Sequence, residues 1–167
     1  MRSLIKLCLA LVCSPLLAQS WTAPASEKDS DKVVRLTDAL EKEPLSANGP
    51  EARKWLIQWL TDTPDYSVTV CDILGPIPGK KVPNGPELMV QNLFGNATYQ
   101  IKNPGQRDEA VLQQAGVESV LKAYQSILAH DSKAHIKYFD ELLAKQQQGL
   151  LKERLAPIIA KECSTNR

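Results

Sequence analysis

The sequence predicts an all-α fold: a compact, irregular bundle of about six helices with one Pro/Gly-rich loop and one disulfide. Three observations carry this expectation. Apolar residues recur at helical spacing in segment after segment, no two alternating segments stand ready to pair as strands, and prolines, glycines and Asn-Gly turns fall between the periodic stretches.

The first helix is expected over Asp31 to Glu43, capped by Asp29 or Ser30 and stopped by Pro44, with Val33, Val34, Leu36, Ala39 and Leu40 on its apolar side. Asn48-Gly49-Pro50 opens the second, which runs to about Leu60. Ala52, Trp55, Leu56, Trp59 and Leu60 give it one apolar stripe, from which Ile57 projects away. Tyr66 to Cys71 (YSVTVC) alternates like a strand but has no partner strand nearby, and is read as a helical or irregular segment. Gly75 to Pro86 (GPIPGKKVPNGP) holds four prolines and three glycines in twelve residues, a composition that neither a helix nor a central strand survives.

Pro86-Glu87 starts a third helix, with Met89, Val90, Leu93, Phe94, Ala97 and Ile101 on one face. A fourth, capped by Asp108 and reaching about Ala129, carries Val117, Val120, Leu121, Tyr124, Ile127 and Leu128, and Gly116 is expected to loosen its start. Asp131 or Ser132 is expected to cap a fifth bearing Ile136, Phe139, Leu142 and Leu143. After a joint at Gly149, Leu150 to Cys163 forms the last, with Pro157 expected to kink or restart it.

Residues 1–18 read as a secretory signal peptide. Arg2 and Lys6 precede the apolar run Leu7 to Ala18, which at about a dozen residues falls short of the roughly 20 that span a bilayer. Residues 19–30 read as a flexible arm and 31–167 as a single helical domain, exported to the periplasm or the extracellular space with no membrane span once the signal is removed. A chain trimmed to 149 residues buries about 68–70% of its unfolded surface, enough for one ordinary core. Loss of Arg2 and Lys6 leaves eighteen basic residues against nineteen acidic ones, and this balance offers no footprint for nucleic acid. Cys8 and Cys13 leave with the signal, so Cys71 and Cys163 have only each other to pair with in an oxidising compartment.

Catalytic motifs are missing from the text. His130 and His135 stand five apart, not the three or four that place two ligands on one helix face, so no metal site is expected. Asp140 and Glu141 are adjacent and point to different faces, and there is no G-x-S-x-G, no phosphate-cradling glycine pattern and no C-x-x-C-H, so no cofactor is expected. Asn96-Ala97-Thr98 matches the glycosylation sequon but falls inside a helix. The loop 75–86 is the candidate contact for a protein partner. Ile77 and Val82 give it apolar side chains, Lys80 and Lys81 give it charge, and its prolines lower the ordering cost of binding. These features point to an exported binding or interaction module without catalysis of its own. The alternative is an envelope-acting hydrolase that assembles carboxylates from separate helices.

Overall fold

A computed structural model describes residues 26–163. The expected leader, its cleavage point and most of the arm lie outside the described residues. Among the described residues there are six helices and no strands: α1 (Asp29–Lys42), α2 (Gly49–Asp62), α3 (Gly85–Lys102), α4 (Glu109–His130), α5 (Lys137–Gln147) and α6 (Leu151–Glu162). The all-α expectation and its helix count are thereby met, and no described helix is long and apolar enough to cross a membrane.

The pair α3–α4 forms the spine, because these two helices share the most extensive contact in the molecule. On one side α1 and α2 pack around Phe94, with Val33, Leu36, Leu40, Ala52 and Leu56 buried there. On the other side α5 and α6 pack on α4, burying Val117, Leu121, Tyr124, Phe139, Leu142, Leu155 and Ile159 together with Ile73 and Leu74, just before the 75–86 loop, and Ile77 within it. Trp55 and Trp59 are half-buried against the first cluster, and Lys32 Nζ sits 3.8 Å from the centroid of the Trp55 ring. Ile57 faces solvent, as its position off the stripe requires.

The spine is closer and more polar than its sequence pattern implies. A β-carbon at Gly95 would lie 2.3 Å from that of Ser119, and one at Gly116 would lie 2.7 Å from the Asn92 carbonyl oxygen. Gly116 therefore does not loosen α4; it admits the α3 backbone. The absence of a side chain at both crossing points draws the helices together and buries Gln91, Asn92, Asn96 and Ser119 between them, with Gln91 Nε2 donating to Ser119 Oγ at 2.9 Å. The apolar stripe expected for α3 is only part of its buried surface, and Met89, placed on that stripe, is exposed. Asn96 of the sequon is buried and its Oδ1 accepts from Gln100 Nε2 at 2.8 Å, so it offers no accessible acceptor.

Helix ends follow local chemistry, with corrections. Asp108 caps α4 as expected, its Oδ1 accepting from Ala110 N at 2.9 Å. The first helix starts before its expected cap. Asp29 and Asp31 lie in its first turn, where the helix dipole favours acidic groups, and Arg35 holds Glu27 by two 2.7 Å bonds just outside it. Asp131 does not cap α5. It turns the chain instead, with Oδ1 accepting from Lys133 N at 2.9 Å, and the helix begins at Lys137 after buried Ala134 and Ile136. Gly149, at φ +72°, closes α5 with Leu150 N on Lys145 O and Gly149 N on Gln146 O, the paired bonds of a Schellman motif. Pro157 does not restart α6. The carbonyl it deprives of an N–H belongs to Glu153, and both residues lie on the exposed side of the helix, where a missing helix bond is tolerated.

Candidate functional site

Tyr66 to Cys71 is neither helix nor strand, and the reason fixes the base of the loop. The segment runs extended, and side chains from the spine occupy its backbone. Gln100 Nε2 donates to Ser67 O at 2.8 Å, and Gln113 Nε2 donates to Thr69 O at 2.7 Å. Thr69 Oγ1 donates to Glu109 Oε2 at 3.0 Å, and Gln113 Nε2 reaches the other Glu109 oxygen at 2.7 Å. Side-chain amides thus satisfy carbonyls that a partner strand would otherwise have bonded.

The two cysteines meet as expected. Cys71 and Cys163 are joined by a disulfide with their α-carbons 5.0 Å apart, which ties this segment to the end of α6. Two residues on, Tyr138 of α5 donates from its hydroxyl to Ile73 O at 2.7 Å, and its ring lies against Gly75, where a β-carbon would come within 2.6 Å of it. Gly75 also has φ +63°, so only glycine suits the position on both counts. Burial pushes the Tyr138 phenol above its ordinary range.

Above this base the loop folds into a groove of about 310 Å³, lined by Ile77, Pro78, Lys80, Lys81, Val82, Gly85, Pro86 and Met89. The structure brings all four candidate binding residues together here, in different roles. Ile77 is buried and belongs to the core, so it forms the floor rather than a projecting contact. Val82 is half-buried against the same core, whereas Lys80 and Lys81 stand exposed on the rim with no ion-pair partner among the described residues. Met89 is 38% exposed at the mouth. Sequence reasoning missed it by assigning it to the apolar face of its helix. Its signal was position, because it lies one turn inside a helix that the loop itself begins.

A larger groove of about 570 Å³ runs between α1 and α3, but its charged lining is mixed in sign: Lys102 Nζ reaches Asp38 at 3.4 Å, Arg35 is held by Glu27, and the remaining charges are Asp31 and Lys42. The two rim lysines distinguish the loop groove.

A third cluster was not legible in the sequence. Tyr124 is fully buried; its hydroxyl accepts from Ile136 N at 2.7 Å and donates to Asp140 Oδ1 at 2.7 Å. The same oxygen meets His135 Nδ1 at 3.0 Å. Burial first, and then the Asp140 carboxylate, push the Tyr124 phenol up to about 12 against the lowering effect of the Ile136 N–H. The cluster joins α4 to α5 across the turn at residues 131–136. The other carboxylates whose partners are defined also meet cations or neutral donors: Glu41 with Lys122, and Glu109 with Thr69 and Gln113.

Fold and site together define a class: a disulfide-tied helical bundle with a small apolar groove rimmed by two lysines. No family model matches the chain, and neither a curated protein nor a solved structure matches it.

Proposed function

We propose that this chain is an exported binding module without catalysis of its own, and that the 75–86 loop holds an acidic segment of a partner protein by an apolar side chain. The observation that carries the reading is the groove itself. Its floor is Ile77 and Val82, its mouth is Met89, and its rim holds two lysines with no counter-charge among the described residues. At about 310 Å³ it lies at the low end of small-molecule sites, which run to about 1,000 Å³. It accepts a side chain or two and the acidic neighbours that would pair with Lys80 and Lys81. The base is tied by the disulfide, by Tyr138 and by the amides of Gln100 and Gln113, so little ordering is left to oppose binding.

Export supports this reading through the short charged and apolar leader together with a cysteine pair at bonding distance. Intact mass of the protein recovered from periplasm or medium tests it. A chain that begins after Ala18 and gains two hydrogens on reduction is expected, and a full-length cytoplasmic dithiol overturns it.

The binding claim is tested with two peptide sets, each carrying a central Leu or Phe flanked by Asp and Glu or by Lys and Arg. The acidic set is expected to bind, with affinity that falls with salt and drops about tenfold or more in Lys80→Glu/Lys81→Glu. Equal binding of the basic set, or indifference to the charge reversal, refutes the reading.

A further inference from the structure

Among the described residues, one group of chemistry-bearing side chains lies outside the groove and has metal-ligand geometry: Cys71, Cys163 and Glu109, whose ligand atoms all lie within 4.8 Å of one another. We infer that the reduced protein binds one zinc ion between these three residues, so that the same two sulfurs serve either a disulfide or a metal.

With Zn–S near 2.3 Å and Zn–O near 2.0 Å, neighbouring ligands of a tetrahedral ion sit about 3.5–3.8 Å apart. Once the S–S bond is opened, the sulfurs part to that separation, and the carboxylate oxygen, within 4.8 Å of both, must close by at most roughly 1.3 Å. Side-chain rotations of Cys71 and Glu109, both only partly buried, cover such shifts.

The carboxylate is held as a metal-ligating carboxylate commonly is. Thr69 Oγ1 and Gln113 Nε2 donate to its two oxygens and so fix its orientation. Two thiolates with one carboxylate favour a borderline-soft ion such as zinc over calcium or magnesium, and a fourth position remains for solvent.

The chemistry balances. One disulfide and two equivalents of a small thiol give the two cysteine thiols and one disulfide of the reductant. Zinc then displaces the two thiol protons. Exchange with a small-molecule disulfide, which takes the two electrons and two protons and leaves as two thiols, re-forms the S–S bond and expels the ion. In either state the Cys71 segment stays tied to α6, so the base of the loop is held on both sides of the redox change.

The test uses the full chain, reduced with a phosphine and cleared of it under anaerobic conditions, with Co²⁺ as the probe and Zn²⁺ as competitor. A one-to-one complex with thiolate-to-cobalt charge-transfer absorption is expected, displaced by zinc and absent from the oxidised chain. Glu109→Gln is expected to weaken it at least about tenfold, the low end of what losing even an outer-shell partner costs. Glu118→Gln, on the same helix, is expected to leave it unchanged. Equal affinity in Glu109→Gln overturns the inference, and it does so even if reduction loosens the fold, because two bare thiolates would bind without regard to residue 109. Failure of the reduced chain to bind cobalt also overturns it. Neither result bears on the lysine-rimmed groove, whose test uses the oxidised protein.

Discussion

Gly116→Ala tests the claim that a close helix crossing organises the molecule. The added β-carbon would lie 2.6 Å from Asn92 Nδ2 and 2.7 Å from the Asn92 carbonyl oxygen, where ordinary contact begins at 3.4 Å. The amide can rotate away, but the carbonyl is α3 backbone and cannot, so the helices must part by about 0.7 Å. A gap of that size forfeits a quarter to a half of each contact along the seam. It also strains the buried bond from Gln91 to Ser119. Overpacking of this kind costs about 2–3 kcal/mol when the neighbour cannot yield, against about 1 kcal/mol recovered from the better helix propensity of alanine. The net expectation is a loss of about 1–2 kcal/mol and a Tm lower by about 3–8 °C. Urea unfolding of the oxidised protein reads it as a lower midpoint at unchanged slope. Gly79→Ala is the control: nothing lies within 4 Å of its β-carbon and its φ is not left-handed, so a change within about 0.5 kcal/mol is expected there. A Gly116→Ala protein as stable as the parent would refute the crossing as described.

Tyr124→Phe leaves the Ile136 N–H without its acceptor and takes the tyrosine donor from Asp140, which keeps His135, an expected loss of about 1–3 kcal/mol in urea melts. The same residue sets an alkaline limit. Its phenol is raised from 10 to about 12, so its neutral form belongs to the folded state. Its contribution is complete below pH 10 and is lost as pH climbs toward 12, and Tyr124→Phe should flatten the fall over that window. Replacing both cysteines by serine opens a closed loop of about 90 residues and should cost about 2–5 kcal/mol; an unchanged midpoint in urea would mean the bond constrains nothing. Lys80→Glu/Lys81→Glu should leave stability within about 0.5 kcal/mol, since both side chains are exposed and have no ion-pair partner among the described residues, while weakening capture of the acidic peptides about tenfold or more.

What the sequence disclosed was whatever repeats locally. The stripe Val117, Val120, Leu121, Tyr124, Ile127 lies in the core as its spacing implies, and Asp108 caps the helix that it precedes. What stayed hidden depends on two segments at once. Asp131 has the composition of a cap, yet its side chain satisfies the turn it stands in, because Tyr124 from the preceding helix already holds Ile136. Gln91, Asn92 and Asn96 lie off the apolar face expected for α3, and a second helix, admitted by Gly95 and Gly116, covers them. The disulfide was legible by counting, whereas the arrival of Glu109 beside it was not.

The loop shows why a binding segment and a core segment are hard to separate by composition. Ile73, Leu74 and Ile77 carry it into the main cluster, while Lys80 and Lys81, three and four residues after Ile77, stand in water. Replacing residues 75–86 by a Gly/Ser linker would therefore remove the core side chain of Ile77, worth about 2–5 kcal/mol on truncation, together with the half-buried Val82, and would report on folding as well as on recognition. Substitutions confined to Lys80, Lys81 and Met89 avoid this. They alter the rim and mouth, touch no fully buried side chain, and leave intact the tyrosine, amide and sulfur ties that hold the groove in shape. If recognition resides in the groove, those substitutions change peptide affinity at constant stability. A variant set in which affinity only follows stability would place recognition elsewhere on the surface.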